Sequence, residues 1–298
     1  MPVFVHHKAA LDGSPYPPNS LEAIRACLDA NARFIEIDIK ALADGDYLLV
    51  HDEVLDVETT GHGPVNACTT SAARQLFIRH AGQATPYHVP LLSEVVDVFS
   101  ASSAQTQLQL DFKDYVPADD ELLFWLINLI EPLGARVIVS SIADWQLRRL
   151  RRLAPALTLG FDIQLYLDWT HEAERDLHEP PHVRGVHGYW DDQPHAAFDM
   201  WPAAHYLRDR CEGLAGLVPD VHTFYVRHQL LAQSLRDGFN WAAALHQHGI
   251  LLDAWTMDAT NPEAMQNLAA FSEAGVDFIT TNTPLVLQAQ HAKRSERL

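Results

Sequence analysis

Short apolar, β-branched runs alternate along the chain with segments whose apolar residues recur every three or four positions. The runs predict strands near Val3–His7, Phe34–Ala41, Thr106–Phe112, Val137–Ser141, Leu157–Ile163, Val221–Val226, Ile250–Thr256 and Val276–Thr281. Between them, Ser20–Leu28 puts Leu21, Ile24 and Leu28 on one helical face behind Asn19 or Ser20 as N-cap. Asp144–Leu153, Leu230–His248 and Pro262–Ala274 read as helices in the same way. Eight strand-then-helix units in 298 residues point to an α/β chain folded as a (β/α)8 TIM barrel, one domain over residues 1–298. Two connections exceed a tight turn. Residues 53–99, after the second strand, hold the turn-rich Thr59-Thr60-Gly61-His62-Gly63-Pro64 and then helical patches, a small insertion. Residues 164–217, after the fifth strand, form a longer one with Trp169, Tyr189, Trp190 and Trp201, whose rings either cap substrate or pack a helix onto the barrel. The tail from Ala292 to Leu298 is expected to fray.

Polar residues interrupt these strands where such a barrel carries its chemistry, because active sites gather at the carboxyl ends of the strands. His7 and Lys8 end the first strand, Glu36 and Asp38 lie late in the second, and Asp111 and Lys113 end the third. Residues i and i+2 of a strand share a face, so Glu36 points with Asp38, and Asp111 with Lys113. Tyr47–Val50, after the Asp44-Gly45 turn, is expected as a short extra strand that returns His51 and Asp52 to the same rim. Two carboxylates from one strand and a third from another make an oxygen-rich site that suits Mg²⁺ or Ca²⁺ better than zinc. Buried without such a divalent cation they would be costly. Two histidines and two lysines beside the ion add proton transfer and anchors for an anion, the equipment of a metal-assisted phosphodiester reaction.

Composition limits the partners. Lysine and arginine number 21 against 39 acidic residues, a formal charge of −18, which opposes binding to nucleic acid or anionic lipid surfaces. A phosphate-bearing small molecule then depends on the local lysines and the ion. Cys27, Cys68 and Cys211 are odd in number and form no C-x-x-C pair, which argues against a disulfide framework and fits a reducing cytosol. The N-terminus reaches polar His6 too early for a signal peptide, and no run of about 18 apolar residues follows, so a cytoplasmic protein without membrane insertion is expected. His246 and His248 are two apart on an expected helix and point apart, so they make no ligand pair. Trp255, ending the seventh strand, either lines the pocket and stacks on substrate or packs in the core. Oligomeric state is left open.

The ordered motifs resemble those of the glycerophosphodiester phosphodiesterase family, which run His-Arg-Gly, Glu-Asn-Thr, Glu-x-Asp, Asp-Gly with His-Asp, Thr-Thr-Gly-x-Gly, Glu-x-Lys and Trp-Thr. Here stand His7-Lys8-Ala9, Pro18-Asn19-Ser20, Glu36-Ile37-Asp38, Asp44-Gly45 with His51-Asp52, Thr59-Thr60-Gly61-His62-Gly63, Asp111-Phe112-Lys113 and Trp255-Thr256. The resemblance implies hydrolysis of glycerophosphodiesters or similar small phosphodiesters. It implies that Glu36, Asp38 and Asp111 hold the cation, that His7 and His51 exchange protons, and that Lys8 and Lys113 contact the phosphate. One histidine would deprotonate a hydroxyl beside the phosphodiester and the other protonate the departing alcohol, leaving a cyclic phosphate for water to open. The chain departs from the family at Lys8, which lacks the bidentate fork of arginine, and at Ala9, Pro18, Asp111 and Asn282. Asp111 also resembles the sphingomyelinase D-type relatives, which implies a phospholipase D-like lyase for lysophospholipids as an alternative. The altered motif residues leave a non-catalytic metabolite-binding barrel as another. Placing His6 on the first motif loses the basic and small residues that follow, so His7 is the preferred register and His6 the alternative.

Overall fold

The computed structural model describes residues 1–117, 119–175 and 178–295. Eight parallel strands close into a barrel: β1 (Val3–His6), β2 (Phe34–Ala41), β3 (Gln107–Phe112), β4 (Val137–Ser141), β5 (Thr158–Asp162), β6 (Thr223–Arg227), β7 (Leu251–Trp255) and β8 (Phe278–Thr281). Each pairs with the next, and β1 closes the ring by pairing with both β8 and β2. Helices α1 (Leu21–Asp29), α2 (Leu92–Ala101), α3 (Asp120–Ile130), α4 (Asp144–Leu153), α5 (Ala203–Ala215), α6 (His228–Arg236), α7 (Trp241–His246), α8 (Pro262–Ala274) and α9 (Pro284–Ser295) surround it.

Strand β2 shows why the chain closes this way. Ile35, Ile37 and Ile39 join Ile24, Leu28, Val95 and Phe99 of the surrounding helices in the main core. The alternate residues Phe34, Glu36, Asp38 and Lys40 face inward, and all eight positions are buried. Inside the barrel the side chains form layers. Val5, Phe34 and Ile138 pack with Val3 and Phe278 as an apolar plug at the amino ends of the strands. Above it the interior turns polar, with Glu36, Gln109, Ser140, Thr223, Tyr225, Asp253 and Thr280 all buried. This is the floor on which the site stands.

The structure departs from the sequence-based expectations in three places, and it decides between the two roles left open for the aromatics after β5. The helix expected over Leu230–His248 is two helices, broken where Gly238 takes φ of 85° and Asn240 caps Ala243 N–H at 3.1 Å. Apolar periodicity runs through the break because α6 and α7 both face the barrel. The insertion after β2 holds short helices at Leu55–Glu58 and Thr70–Ala73, the second of them among the helical patches expected, and then an antiparallel hairpin, Phe77–His80 with Gln83–His88, that was not expected. Ala81 and Gly82, both at positive φ, make its turn. Leu48, Val50, Leu55, Val65, Ile78 and Leu91 give this insertion a core of its own, and its last residues already belong to α2. Among the aromatics after β5, Tyr189 ties the insertion to the barrel's helices by donating to Asp237 at 2.6 Å, Trp190 Nε1 donates within the insertion to Thr170 O at 3.2 Å, and Trp201 lies half exposed. Finally, α9 keeps the tail helical to Ser295, and 296–298 lie outside the described residues. Among the described residues no helix is long and apolar enough to cross a membrane.

Candidate active site

A cavity of about 720 Å³ opens at the carboxyl ends of the strands, lined among others by His7, Lys8, Glu36, His51, Asp111, Lys113 and Trp255. Asp38, almost fully buried, lies beside it at the level of Asp111. Strand register puts it there, since Asp38 pairs with Asp111 and Glu36 with Gln109 across β2 and β3. Glu36, Asp38 and Asp111 each bring one oxygen to within 4.8 Å of the others. Opposite ligands of an ion held at about 2.3–2.6 Å are separated by about that span, and the donors are all carboxylate oxygens. The cluster therefore fits a hard divalent cation.

The two lysines lie on the same acids. Lys8 Nζ is 2.9 Å from Asp38 Oδ2, and Lys113 Nζ sits between Asp38 Oδ1 at 3.3 Å and Asp111 Oδ2. Burial works against a charge on Asp38, yet Lys113 and Lys8 outweigh it and hold the carboxyl below its usual range. Burial, with Asp38 and Asp111 alongside, pushes Glu36 well above that range. Lys8 reaches its place through a tight turn in which Lys8 and Ala9 both take positive φ, and this turns the Lys8 N–H onto Glu36 Oε2 at 2.8 Å. An alanine in that conformation is strained by about 1 kcal/mol.

His7 and His6 point opposite ways. His6 is buried under α1 with Nδ1 on Ala10 O at 2.9 Å and Cys27 Sγ at 3.6 Å, outside the cavity. His7 faces it, with Nε2 3.9 Å from Glu36 Oε2 and Nδ1 2.8 Å from Asn282 Oδ1. Burial lowers the His7 pKa, with Asp38 opposing. His51, on the opposite lip, is half exposed with Nδ1 2.9 Å from Asp52 Oδ1. Asp52 thus orients the His51 ring, as a carboxylate beside a histidine commonly does. The short strand Tyr47–Leu48, antiparallel to Lys40 and Ala41, delivers this loop to the rim.

Several residues in or beside the cavity were not singled out from sequence. Glu58 accepts the backbone N–H of His51 at 2.6 Å and stands 3.6 Å from Lys8 Nζ. Asp162, at the end of β5, is pushed up to about 8 by burial, partly opposed by the Gln164 N–H. Lys40, Gln109, Ser140, Tyr115 and Tyr225 complete the wall and floor, and Gln164, Leu165, His178, Glu179 and Pro180 reach in from the insertion after β5. Lys40 and Gln109 share strand parity with Glu36 and Asp111, a signal that the sequence does carry. Asp162 carries one as well, as a polar residue at the carboxyl end of the expected fifth strand, whereas Glu58 carries none. The Thr59-Thr60-Gly61 segment stays out of the cavity: Thr59 Oγ1 donates to Leu55 O at 2.6 Å and braces the helix that bears Glu58.

Residues 12–198 match the glycerophosphoryl diester phosphodiesterase family. Over 152 residues the chain is 26% identical to the glycerophosphodiester phosphodiesterase of Caldanaerobacter subterraneus subsp. tengcongensis, covering 50% of this chain and 62% of that protein. Over 156 residues it is 27% identical to the Bacillus subtilis enzyme of the same name, covering 47% and 53%. The chain thus spans between a half and two thirds of the length of these relatives. A solved glycerophosphodiester phosphodiesterase from Parabacteroides distasonis superposes with a TM-score of 0.68 at 16% identity, over 98% of this chain and 97% of that one. A phosphodiesterase from Oleispira antarctica, in complex with the product sn-glycerol-3-phosphate, does so at 0.64 and 17%, over 98% and 97%. These structural likenesses establish the barrel. The family match takes in more than half of the chain, including Glu36, Asp38, His51, Asp111 and Lys113, and the chain belongs to the glycerophosphoryl diester phosphodiesterase family.

Proposed function

We propose that this protein hydrolyses glycerophosphodiesters or similar small phosphodiesters with a divalent cation, Mg²⁺ or Ca²⁺, and two histidines. The observation that carries the reading is that two imidazoles and two lysine ammonium groups surround a three-carboxylate cluster on the wall of one cavity. Glu36, Asp38 and Asp111 hold the cation, which when bound supplies Lewis-acid stabilisation of phosphoryl charge. Lys8 and Lys113 attract the anionic phosphate. His7, whose burial favours the neutral ring, takes a proton at Nε2 from the hydroxyl next to the phosphodiester. His51, whose Nδ1 is anchored on Asp52, gives a proton to the departing alcohol, and the pair exchange roles when water opens the cyclic product. Trp255 lines the cavity wall and offers a face to the alcohol. That the Oleispira antarctica relative holds sn-glycerol-3-phosphate supports a glycerol phosphate product here too.

The test is an assay on protein stripped of metal and then supplied with Mg²⁺ or Ca²⁺, with glycerophosphocholine as substrate. Release of sn-glycerol-3-phosphate is expected, and His7→Ala or His51→Ala should each lower kcat by about 10²- to 10⁴-fold. A cyclic lysophosphatidate from lysophosphatidylcholine as the main product would favour the lyase instead. Inactivity with either metal on both substrates would leave a binding protein.

A further inference from the structure

Asn282 stands between His7 and Asp258. Its Oδ1 lies 2.8 Å from His7 Nδ1, and its Nδ2 donates to Asp258 Oδ2 at 2.9 Å. The other oxygen, Asp258 Oδ1, accepts the backbone N–H of Asn282 at 2.8 Å and the Thr281 hydroxyl at 3.3 Å. By itself a side-chain amide can turn over, because its oxygen and nitrogen are close to isosteric. Asp258 removes that freedom. A carboxylate only accepts, so the Asn282 nitrogen must face Asp258 and its oxygen must face His7. An amide oxygen also only accepts, so the proton of the neutral His7 ring belongs on Nδ1. The lone pair is left on Nε2, the ring atom turned toward Glu36.

We infer that Asp258 and Asn282 are positioning residues which lock His7 in the Nδ1–H tautomer and keep Nε2 open to accept a proton. The inference rests on the role proposed for His7, but its geometry can be tested apart from that role. The three donors on Asp258 dictate the variant to use, since only the backbone N–H is fixed in direction. In Asp258→Asn the one remaining acceptor must meet the backbone N–H of Asn282, which cannot reverse, so the new NH₂ faces the Asn282 side chain. Asn282 then turns over, its nitrogen donates to His7 Nδ1, and the ring proton moves to Nε2. Adding Asn282→Asp gives the new NH₂ a carboxylate to donate to, and the second oxygen of that carboxylate again accepts from His7 Nδ1–H.

The experiment records long-range ¹H–¹⁵N correlation spectra of the full chain labelled with ¹⁵N-histidine, at alkaline pH where imidazoles are neutral. The His7 signal is assigned by its loss in His7→Gln. The wild type should show Nδ1–H, Asp258→Asn should show Nε2–H with kcat reduced on the order of 10²-fold and KM little changed, and Asp258→Asn/Asn282→Asp should regain both. A merely structural role for Asp258 predicts no such recovery. An unaltered Nδ1–H tautomer in Asp258→Asn, or a double variant with the tautomer of the single one, would overturn the inference. Inversion of the tautomer with unchanged kcat upholds the lock and removes His7 from the reaction.

Discussion

Inside the barrel Asp253 is fully buried, with the Thr280 hydroxyl donating to Oδ2 at 2.9 Å and Oδ1 without a hydrogen-bond partner among the described residues. Burial pushes its carboxyl up to about 7, and the Thr280 hydroxyl and backbone only partly oppose the rise. An unfolded aspartate ionises near pH 3.9, so below about pH 4 both states keep the proton and the group is neutral to stability. Between that pH and about 7 the unfolded chain loses a proton that the folded protein retains, and stability falls as pH rises. Asp253→Asn removes this titration. The variant should match the wild type near pH 4 and exceed it by about 2–4 kcal/mol near pH 7 in urea unfolding. A difference that does not grow with pH would mean that the carboxylate is ionised at little cost in the folded barrel. Gln109 Oε1, on the cavity floor, is likewise without a hydrogen-bond partner among the described residues and is an acceptor open to the cavity.

Strands β5 and β6 show how one element makes room for the next. A Cβ on Gly160 would lie 2.3 Å from Cε2 of Tyr225, so the missing side chain on β5 admits the Tyr225 ring of β6 to the floor. Gly160→Ala is expected to cost about 1–3 kcal/mol by overpacking, and to raise KM more than it lowers kcat as the ring is pushed toward the cavity. Calorimetry and steady-state kinetics check the two effects, and a native melting point with a native KM would show that the ring has another place to go. At this scale much was legible in the chain. The alternation in β2, isoleucines outward and Glu36 with Asp38 inward, is written in the residue order, as is the placing of Lys113 beside Asp111. The break between α6 and α7 was not, because apolar periodicity continues across Gly238. Glu58 and Asp258 were hidden for another reason: Glu58 ends a helix of only four residues and Asp258 lies in a loop, and neither element is long enough for a period to mark which way a side chain turns. Asn282 was visible only as a departure from a motif, and its function emerges from partners 24 and 275 positions away.

Across the whole molecule a formal charge of −18 surrounds a cavity that, under the proposed function, receives an anionic phosphodiester. With every group ionised, the three clustered carboxylates exceed the two ammonium groups of Lys8 and Lys113 by one negative charge, and a bound divalent ion would make the cluster one positive. Metal binding should therefore be both a stability and an affinity switch. Titration with Ca²⁺ or Mg²⁺ should raise the melting point, by about 2.7 kcal/mol of stability at a hundredfold excess over Kd, or roughly 4–5 °C for a chain of this size. Glu36→Gln and Asp38→Asn should each abolish most of that rise. Because burial and its acidic neighbours push the Glu36 carboxyl up, the ion must displace a proton from it, so binding tightens as pH rises and calorimetry in buffers of different ionisation enthalpy should register proton release. A melting point indifferent to both ions across this pH range would take the cation out of the cavity, and the convergence of three acids on one barrel wall would then require a ligand of a different kind.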